Sequence, residues 1–535
     1  MHRLTATLVA GAFLLTACGG GGSSSTNDST IPDAQRAASQ DLRVAVGPDP
    51  FAAGVAATPP NNNLGLATNG PSLGIFETLT QLTDVFGLQP GLATRWESAT
   101  PTQWKFFLRP NVKFHNGTPM DANAVVSSLE TIAHRQGRPR GLDPGTAKAD
   151  GDGTVVINLT EPNGRLAEQL AAPSMGIVAP GTQAGPGTDP SVTPTGTGPF
   201  QFKSYQPNVN LVVAAFDGYW GPKPQLKTIT FRFGTEADAG RLLATRAVDI
   251  TGGQIPYGVL PKVSGKTDHF VGSQPAKGEY LLLNTGGIGD FATLKDDAIR
   301  NAIAVTIDRR AVQKAAWPDE GEDNATVIPD VVLSDAADRV KTPTTNPDSA
   351  KKMLDQDGWQ AGPDGTRTKQ GKPLVLSLIL ARPTEQTQAA KAVQSQLAAV
   401  GIGVNIVDPT PDSPFTRINN GSFDIFMASQ AQDDGNPCAL CRFFTIRPGG
   451  QLAYGTAVGG GPDADDLYDK TYSSPSVDTA RRAAADIMNI VVAKRFTAVP
   501  LASLRTEWLI SPRVRGFEAA ALGGVQRWDT VWLTV

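Results

Sequence analysis

Residues 91–132, GLATRWESATPTQWKFFLRPNVKFHNGTPMDANAVVSSLETI, carry the pattern that decides the fold class. Trp104, Phe106 and Leu108 alternate with Lys105, Phe107 and Arg109, which gives a strand with one apolar face. Arg109-Pro110-Asn111 then supplies a turn into a second short run, Val112 to Phe114, so the pattern predicts a β-hairpin. Asn116-Gly117-Thr118-Pro119 is a second turn. After it Asp121 can cap a helix whose apolar residues Ala124, Val125, Leu129 and Ile132 fall near helical spacing. No reactive constellation stands here, and read alone the stretch is a packing unit.

The chain around it has 535 residues, more than one hydrophobic core usually spans, so at least two lobes are expected. Apolar residues make up 40% and charged ones 18%, the balance of a globular protein rather than a disordered or membrane-embedded one. The 56 glycines and 41 prolines imply many short connections. His2 and Arg3 precede an apolar run, Leu4 to Leu15, too short to span a bilayer but long enough for the core of a signal peptide. Leu15-Thr16-Ala17-Cys18 follows and looks like a bacterial lipobox. Residues 1–17 are therefore expected to be removed and Cys18 to be acylated. The Gly- and Ser-rich segment 18–40 would be a flexible tether holding the protein at the outer face of the cell membrane. Formal net charge is −4 and basic residues form no cluster, which argues against a nucleic-acid partner.

Several landmarks stand in a fixed order. Trp96 precedes the aromatic strand that ends in Leu108-Arg109-Pro110, followed by Val112-Lys113-Phe114-His115-Asn116-Gly117-Thr118-Pro119 and the helix Asp121 to Leu129. Gly196-Thr197-Gly198-Pro199-Phe200, Tyr219-Trp220-Gly221, the run Ala247 to Ile250, and a helix Lys295 to Ile307 ending in Asp308-Arg309 come later. This order resembles the family 5 extracellular solute-binding proteins, which serve peptide, nickel and related ABC importers. Ile75 to Leu79 sits where that family has a short helix ending in an aromatic-Glu-x-Leu signature.

The resemblance implies an α/β, two-lobed periplasmic-binding-protein type II fold with mixed sheets and a hinge. Lobe I would span residues 41–275, with a small subdomain at about 75–195, and would be rejoined by 500–535; lobe II would span 276–499. Crossing between lobes is expected at residues 270–280. In lobe II, the strand Leu374 to Leu380, a helix Glu385 to Ala399 and the strand Gly401 to Val407 form a β-α-β unit, which favours parallel pairing. Phe423 to Ala428 is a further strand.

Catalysis finds few residues to use. There are four histidines, and no Gly-x-Ser-x-Gly elbow, His-Glu-x-x-His helix or Gly-Lys-Ser/Thr phosphate loop is present. An enzyme is not expected, nor a cofactor, nor a bound metal. Cys438 and Cys441 are spaced for a disulfide or for half a metal site; an oxidising location outside the membrane favours the disulfide, and free thiols are the remaining alternative.

Just upstream lies Gln432-Asp433-Asp434-Gly435-Asn436-Pro437. In the dipeptide- and oligopeptide-binding members, the loop at this point carries an aspartate that pairs with the ligand's α-ammonium. Asp433 aligns best with it, with Asp434 as second choice and Asn436 beside them, where peptide binders often have an acid. Solvated acids in a turn are the plainer alternative. Asn61, Asn62 and Asn63, in a Pro-containing loop, and the segment holding Gly278, Tyr280 and Leu281 are candidates for contacts to a ligand's main chain. The resemblance thus implies a monomeric, lipid-anchored substrate-binding protein that takes a short peptide between its lobes and delivers it to an ABC permease. Haem or a nickel chelate as ligand, or a non-transporting envelope lipoprotein, are the alternatives.

Overall fold

The structure is a computed structural model. It describes residues 36–47, 49, 73–83, 87–135, 137–182, 193–234, 236–252, 268–287, 289–319, 321–407, 414–431, 435–445, 461–520 and 526–535. Two large sheets organise it. The first runs in the order 269–272, 507–510, 250–252, 41–45, 228–232, 210–215, 200–206 and the second in the order 321–322, 498–504, 277–283, 425–431, 375–380, 403–407. Each belongs to one lobe, and both mix parallel and antiparallel pairs: Asp41–Ala45 is parallel to Thr228–Arg232, and Val375–Leu380 is parallel to Gly403–Val407 and Ile425–Ala431.

The strand Lys277–Leu283 shows why the second sheet reads as a continuous apolar run. Helices cover both faces, so side chains of either parity are buried. Tyr280 and Leu282 enter a core with the helices Pro462–Ser473 and Val477–Asn489, while Leu281 and Leu283 enter another with the helices Asp297–Thr306 and Pro383–Ala398. The β-α-β unit of this lobe is present, its helix starting on Pro383, where a missing N–H costs nothing. Asn346 caps the helix Pro347–Gln356 by accepting the Ser349 N–H.

The opening stretch lies in a separate small unit with its own core, from Leu79 to Ala179, around the sheet 93–100, 103–108, 154–158, 147–149. Trp104, Phe106 and Leu108 point into that core as their alternation requires, and Asp121 caps the helix Ala122–Ala133 by accepting the Ala124 N–H at 2.8 Å. The hairpin differs from expectation. Gln103–Leu108 pairs with Ala93–Thr100 across the turn Pro101-Thr102 and with Thr154–Asn158, whereas Val112 to Phe114 folds back on Thr118 to Met120 about the Asn116-Gly117 turn. The upstream Pro-Thr pair supplies the tight turn, and Thr154–Asn158 takes the other edge of the aromatic strand, which leaves no edge for Val112 to Phe114. Ile75 to Leu79, expected as a helix, is a buried irregular segment.

Two chain segments cross between the sheets. Gly272 to Lys277 leads out of the first sheet, and Leu504 to Glu507 leads back. Ala498–Leu504 pairs with Lys277–Leu283, so the return lies at Arg505-Thr506 and not at the expected residue 500. No described helix is long and apolar enough to cross a membrane.

Candidate ligand cleft

Strand direction fixes which edges face each other. In the second sheet, Lys277 lies opposite both Ala431 and Leu504, so the carboxyl ends of the parallel strands 375–380 and 425–431 share an edge with the crossings. In the first sheet, Gly252 lies opposite Trp508, and Gly272 opposite Glu507, which brings the carboxyl ends of 41–45, 228–232 and 250–252 to the same crossings. In open α/β sheets ligands bind outside the carboxyl ends of the strands. Here two such edges meet at one double crossing.

On the lobe II edge the first turn of the helix Pro383–Ala398 gathers charge. Lys277 Nζ lies 3.0 Å from Glu385 and 3.7 Å from Glu279, Arg382 lies 3.0 Å from Glu385, and Gln386 donates to Glu279 at 2.8 Å. Burial alone would raise the Glu385 carboxyl, but Lys277 and Arg382 hold it below its ordinary value; Glu279, wholly buried, is pushed up by that burial despite Lys277. On the lobe I edge, just past the first strand, Asp49 accepts the Tyr205 hydroxyl and the Asn208 N–H, both at 2.7 Å.

A second polar centre lies within lobe I, where three of the sequence landmarks meet. The Glu77 carboxylate accepts from Thr197 Oγ1 at 2.9 Å, Tyr219 Oη at 3.0 Å and Trp220 Nε1 at 2.8 Å. Burial pushes this carboxyl up to about 7, with the three donors pulling the other way. Arg109, from the end of the aromatic strand, stacks over Trp220 at 4.1 Å. Beside it, His115 Nε2 donates to Gly198 O at 3.0 Å while Nδ1 accepts the Gly196 N–H at 3.3 Å, the tautomer these partners require, and burial lowers the ring to about 4.

Of the residues singled out from the sequence, Asp433, Asp434, Asn61, Asn62, Asn63 and Cys18 lie outside the described residues. The residues bracketing the aspartates are described: Ala431 ends a strand at the cleft edge, and the Gly435 N–H donates to Glu168 O of the small subdomain at 3.4 Å. Asn436 is wholly buried; its amide donates to Tyr472 Oη at 2.9 Å and accepts the Cys438 N–H at 3.0 Å, so it shapes the loop from within. Cys438 and Cys441 are also wholly buried, with Cα atoms 4.9 Å apart. Gly278, Tyr280 and Leu281 lie in a strand paired on both sides, which commits their main chain to the sheet; a Cβ at Gly278 would stand 2.5 Å from Val327 O.

Sequence reading missed a set of residues where the subdomain touches lobe II. Arg140 pairs with Asp469 at 3.0 Å and lies over the Tyr472 ring at 5.2 Å. The Gly164 N–H donates to Tyr472 O, and Arg165, paired with Glu168, donates to Ser474 O at 3.3 Å and to Pro475 O. Their only sequence signal was the turn Pro162-Asn163-Gly164, indistinguishable from other turns in a glycine-rich chain.

Residues 87–449 match the model of the bacterial extracellular solute-binding proteins, family 5 Middle. The nickel-binding periplasmic protein of Escherichia coli is 26% identical over 366 residues, covering 65% of this chain and 68% of that one. The dipeptide-binding protein of the same organism is 25% identical over 378 residues, with coverages of 65% and 68%. Among solved structures, NikA from Brucella suis in complex with Fe(III)-EDTA superposes with a TM-score of 0.78 at 23% identity, covering 92% of this chain and 99% of that one. These relatives are named as binding proteins, and the shared fold is the type II periplasmic-binding-protein fold. The chain belongs to family 5 of the bacterial extracellular solute-binding proteins, the substrate-binding proteins of ABC importers.

Proposed function

We propose that the protein is a lipid-anchored substrate-binding protein that captures short peptides between its lobes and hands them to a membrane permease. The observation that carries the reading is the placement of the two described residues on either side of the aspartates: Ala431 ends a central strand of lobe II at the edge where the lobes meet, and the Gly435 N–H donates to Glu168 O of the opposite lobe. In the sequence, Asp433 and Asp434 fall between these two points. A carboxylate in a closed cleft suits a fixed ammonium, since a charge-assisted contact is stronger away from water. Cys18 would carry the lipid and the residues after it the tether, which ends earlier than residue 40, because the Ala37 N–H donates to Leu533 O and buried Gln40 bonds Leu533 at both its amide atoms; the protein would act as a monomer outside the membrane. Likeness to a dipeptide-binding relative supports the same ligand class.

A second reading has one specific support: an equally similar relative is named for binding nickel, so a metal chelate could occupy the cleft. Native mass spectrometry of freshly purified protein separates the two. Peptide masses released from the protein support the first reading; a metal-bearing small molecule, or no peptide retained from a random library, replaces it with the second.

A further inference from the structure

The last carbonyls of any helix lack partners within the helix and must be satisfied from outside. The helix Pro462–Ser473 of lobe II ends against lobe I, and lobe I supplies what its end lacks. Tyr472 O accepts the Gly164 N–H, and Ser474 O and Pro475 O, just beyond the helix, accept the Arg165 guanidinium. A cation at this end of a helix is also favoured by the helix dipole. The approach is closer than any side chain allows, because a Cβ on Gly164 would lie 2.3 Å from Ser474 O.

The turn that presents these groups is rigid. Asn163 Oδ1 accepts the Arg165 N–H at 3.0 Å, its Nδ2 donates to Arg140 O at 2.9 Å and to Gln169 at 2.7 Å, and its carbonyl accepts Trp104 Nε1 at 3.1 Å. The buried Arg165–Glu168 pair feels the charge of Arg481 of lobe II: burial pushes the Glu168 carboxyl up and Arg481 works against it, while burial lowers the Arg165 guanidinium and Arg481 adds to that. The Arg140–Asp469 pair stands beside it.

We propose that Gly164 and Arg165 form a latch in which lobe I caps a helix of lobe II, and that this contact holds the lobes together without any ligand. Hydrogen bonds to helix-end carbonyls are lost when the lobes part and remade when they meet, so the latch sets the resting balance between the two arrangements. It concerns the lobes and not the ligand; its failure would leave the peptide reading standing, and the reverse holds too.

The test uses the mature chain, without added ligand, spin-labelled at Lys148→Cys in the subdomain and Lys470→Cys in lobe II, both exposed positions. Pulsed electron-electron dipolar spectroscopy should give a short distance for the otherwise wild-type chain and a shift to longer distance for Gly164→Ala. Gly153→Ala, whose Cβ meets nothing within 4 Å, should match the wild type. Should Gly164→Ala fail to fold, Arg165→Lys, which keeps a cation beside Glu168 but loses the guanidinium that reaches Ser474 O and Pro475 O, must lengthen the distance instead. A wild-type distance in the folded Gly164→Ala chain, or in Arg165→Lys if that variant has to decide, overturns the latch. So does a long distance in the wild type itself.

Discussion

The Ser273 N–H donates to Thr506 O at 2.9 Å while Ser273 Oγ accepts the Thr506 N–H at 3.0 Å, so the outgoing and returning crossings between the lobes are tied to each other. The strands on either side, His269–Gly272 with Glu507–Ile510 and Lys277–Leu283 with Ala498–Leu504, are paired as well. The connection is therefore a two-stranded ribbon that passes from one sheet into the other. Ser273→Ala removes the acceptor of the half-buried Thr506 N–H, which should lower stability by about 1 kcal/mol in urea denaturation. An unchanged midpoint would mean the ribbon is held by its flanking strands alone.

Glu77 and His115 should give opposite pH slopes. The Glu77 carboxyl stands at about 7 in the fold against 4.5 ordinarily, so its stabilising share is complete below 4.5 and is lost as pH rises through about 7. The His115 ring stands at about 4 against 6.5, so its share is complete above 6.5 and is lost as pH falls through about 4. Shifts of this size correspond to about 3 kcal/mol each, and they offset one another in between. Glu77→Gln should expose the histidine slope: the variant gains stability from pH 4 to 6.5, and the wild-type advantage over it shrinks by about 3 kcal/mol from pH 4.5 to 7. A pH-independent difference between the two proteins would count against the assignment.

What was legible in the sequence was what local physics dictates. Alternation at Trp104, Phe106 and Leu108, the Asp121 cap and the β-α-β unit of lobe II all appear where their patterns put them. Pairing between segments was less legible. The aromatic strand pairs with the preceding strand across the Pro101-Thr102 turn and not across Arg109-Pro110-Asn111, although both turns abut it, and nothing in residues 75–79 announced that Glu77 would gather donors from Thr197, Tyr219 and Trp220. Contacts of that kind depend on how distant segments are brought together, and periodicity carries no trace of them.

If Asp433 holds a peptide's ammonium, Asp433→Ala should cost about 2–5 kcal/mol, roughly thirty- to several-thousand-fold in affinity. N-acetylated peptides should bind the wild type as poorly as free peptides bind the variant. Calorimetry that finds acetylated and free peptides equal would end this assignment.

Cys438 and Cys441 should be oxidised in the exported protein. The loop they close is too short to restrict the unfolded chain much, so reduction should change stability little while altering the turn beside the cleft. Thiol counting under denaturing, non-reducing conditions should find no reactive thiol in the mature chain, and two would refute the bond.

Cys18→Ala should release the protein from membranes into the soluble fraction, because acylation at that residue is the expected anchor. Persistence of the variant in the membrane fraction would show that something else holds it there.

The central strand of lobe II carries a parity. From Tyr280 to Leu283, even-numbered side chains fill one core and odd-numbered ones the other, and both cores are closed by helices. Lengthening this strand by one residue would send a tyrosine to the side built for leucines and the reverse, spoiling two interiors at once. Length variation among descendants of this chain should therefore collect in the connections, and the strand from Lys277 to Leu283 should keep its count even where its letters drift.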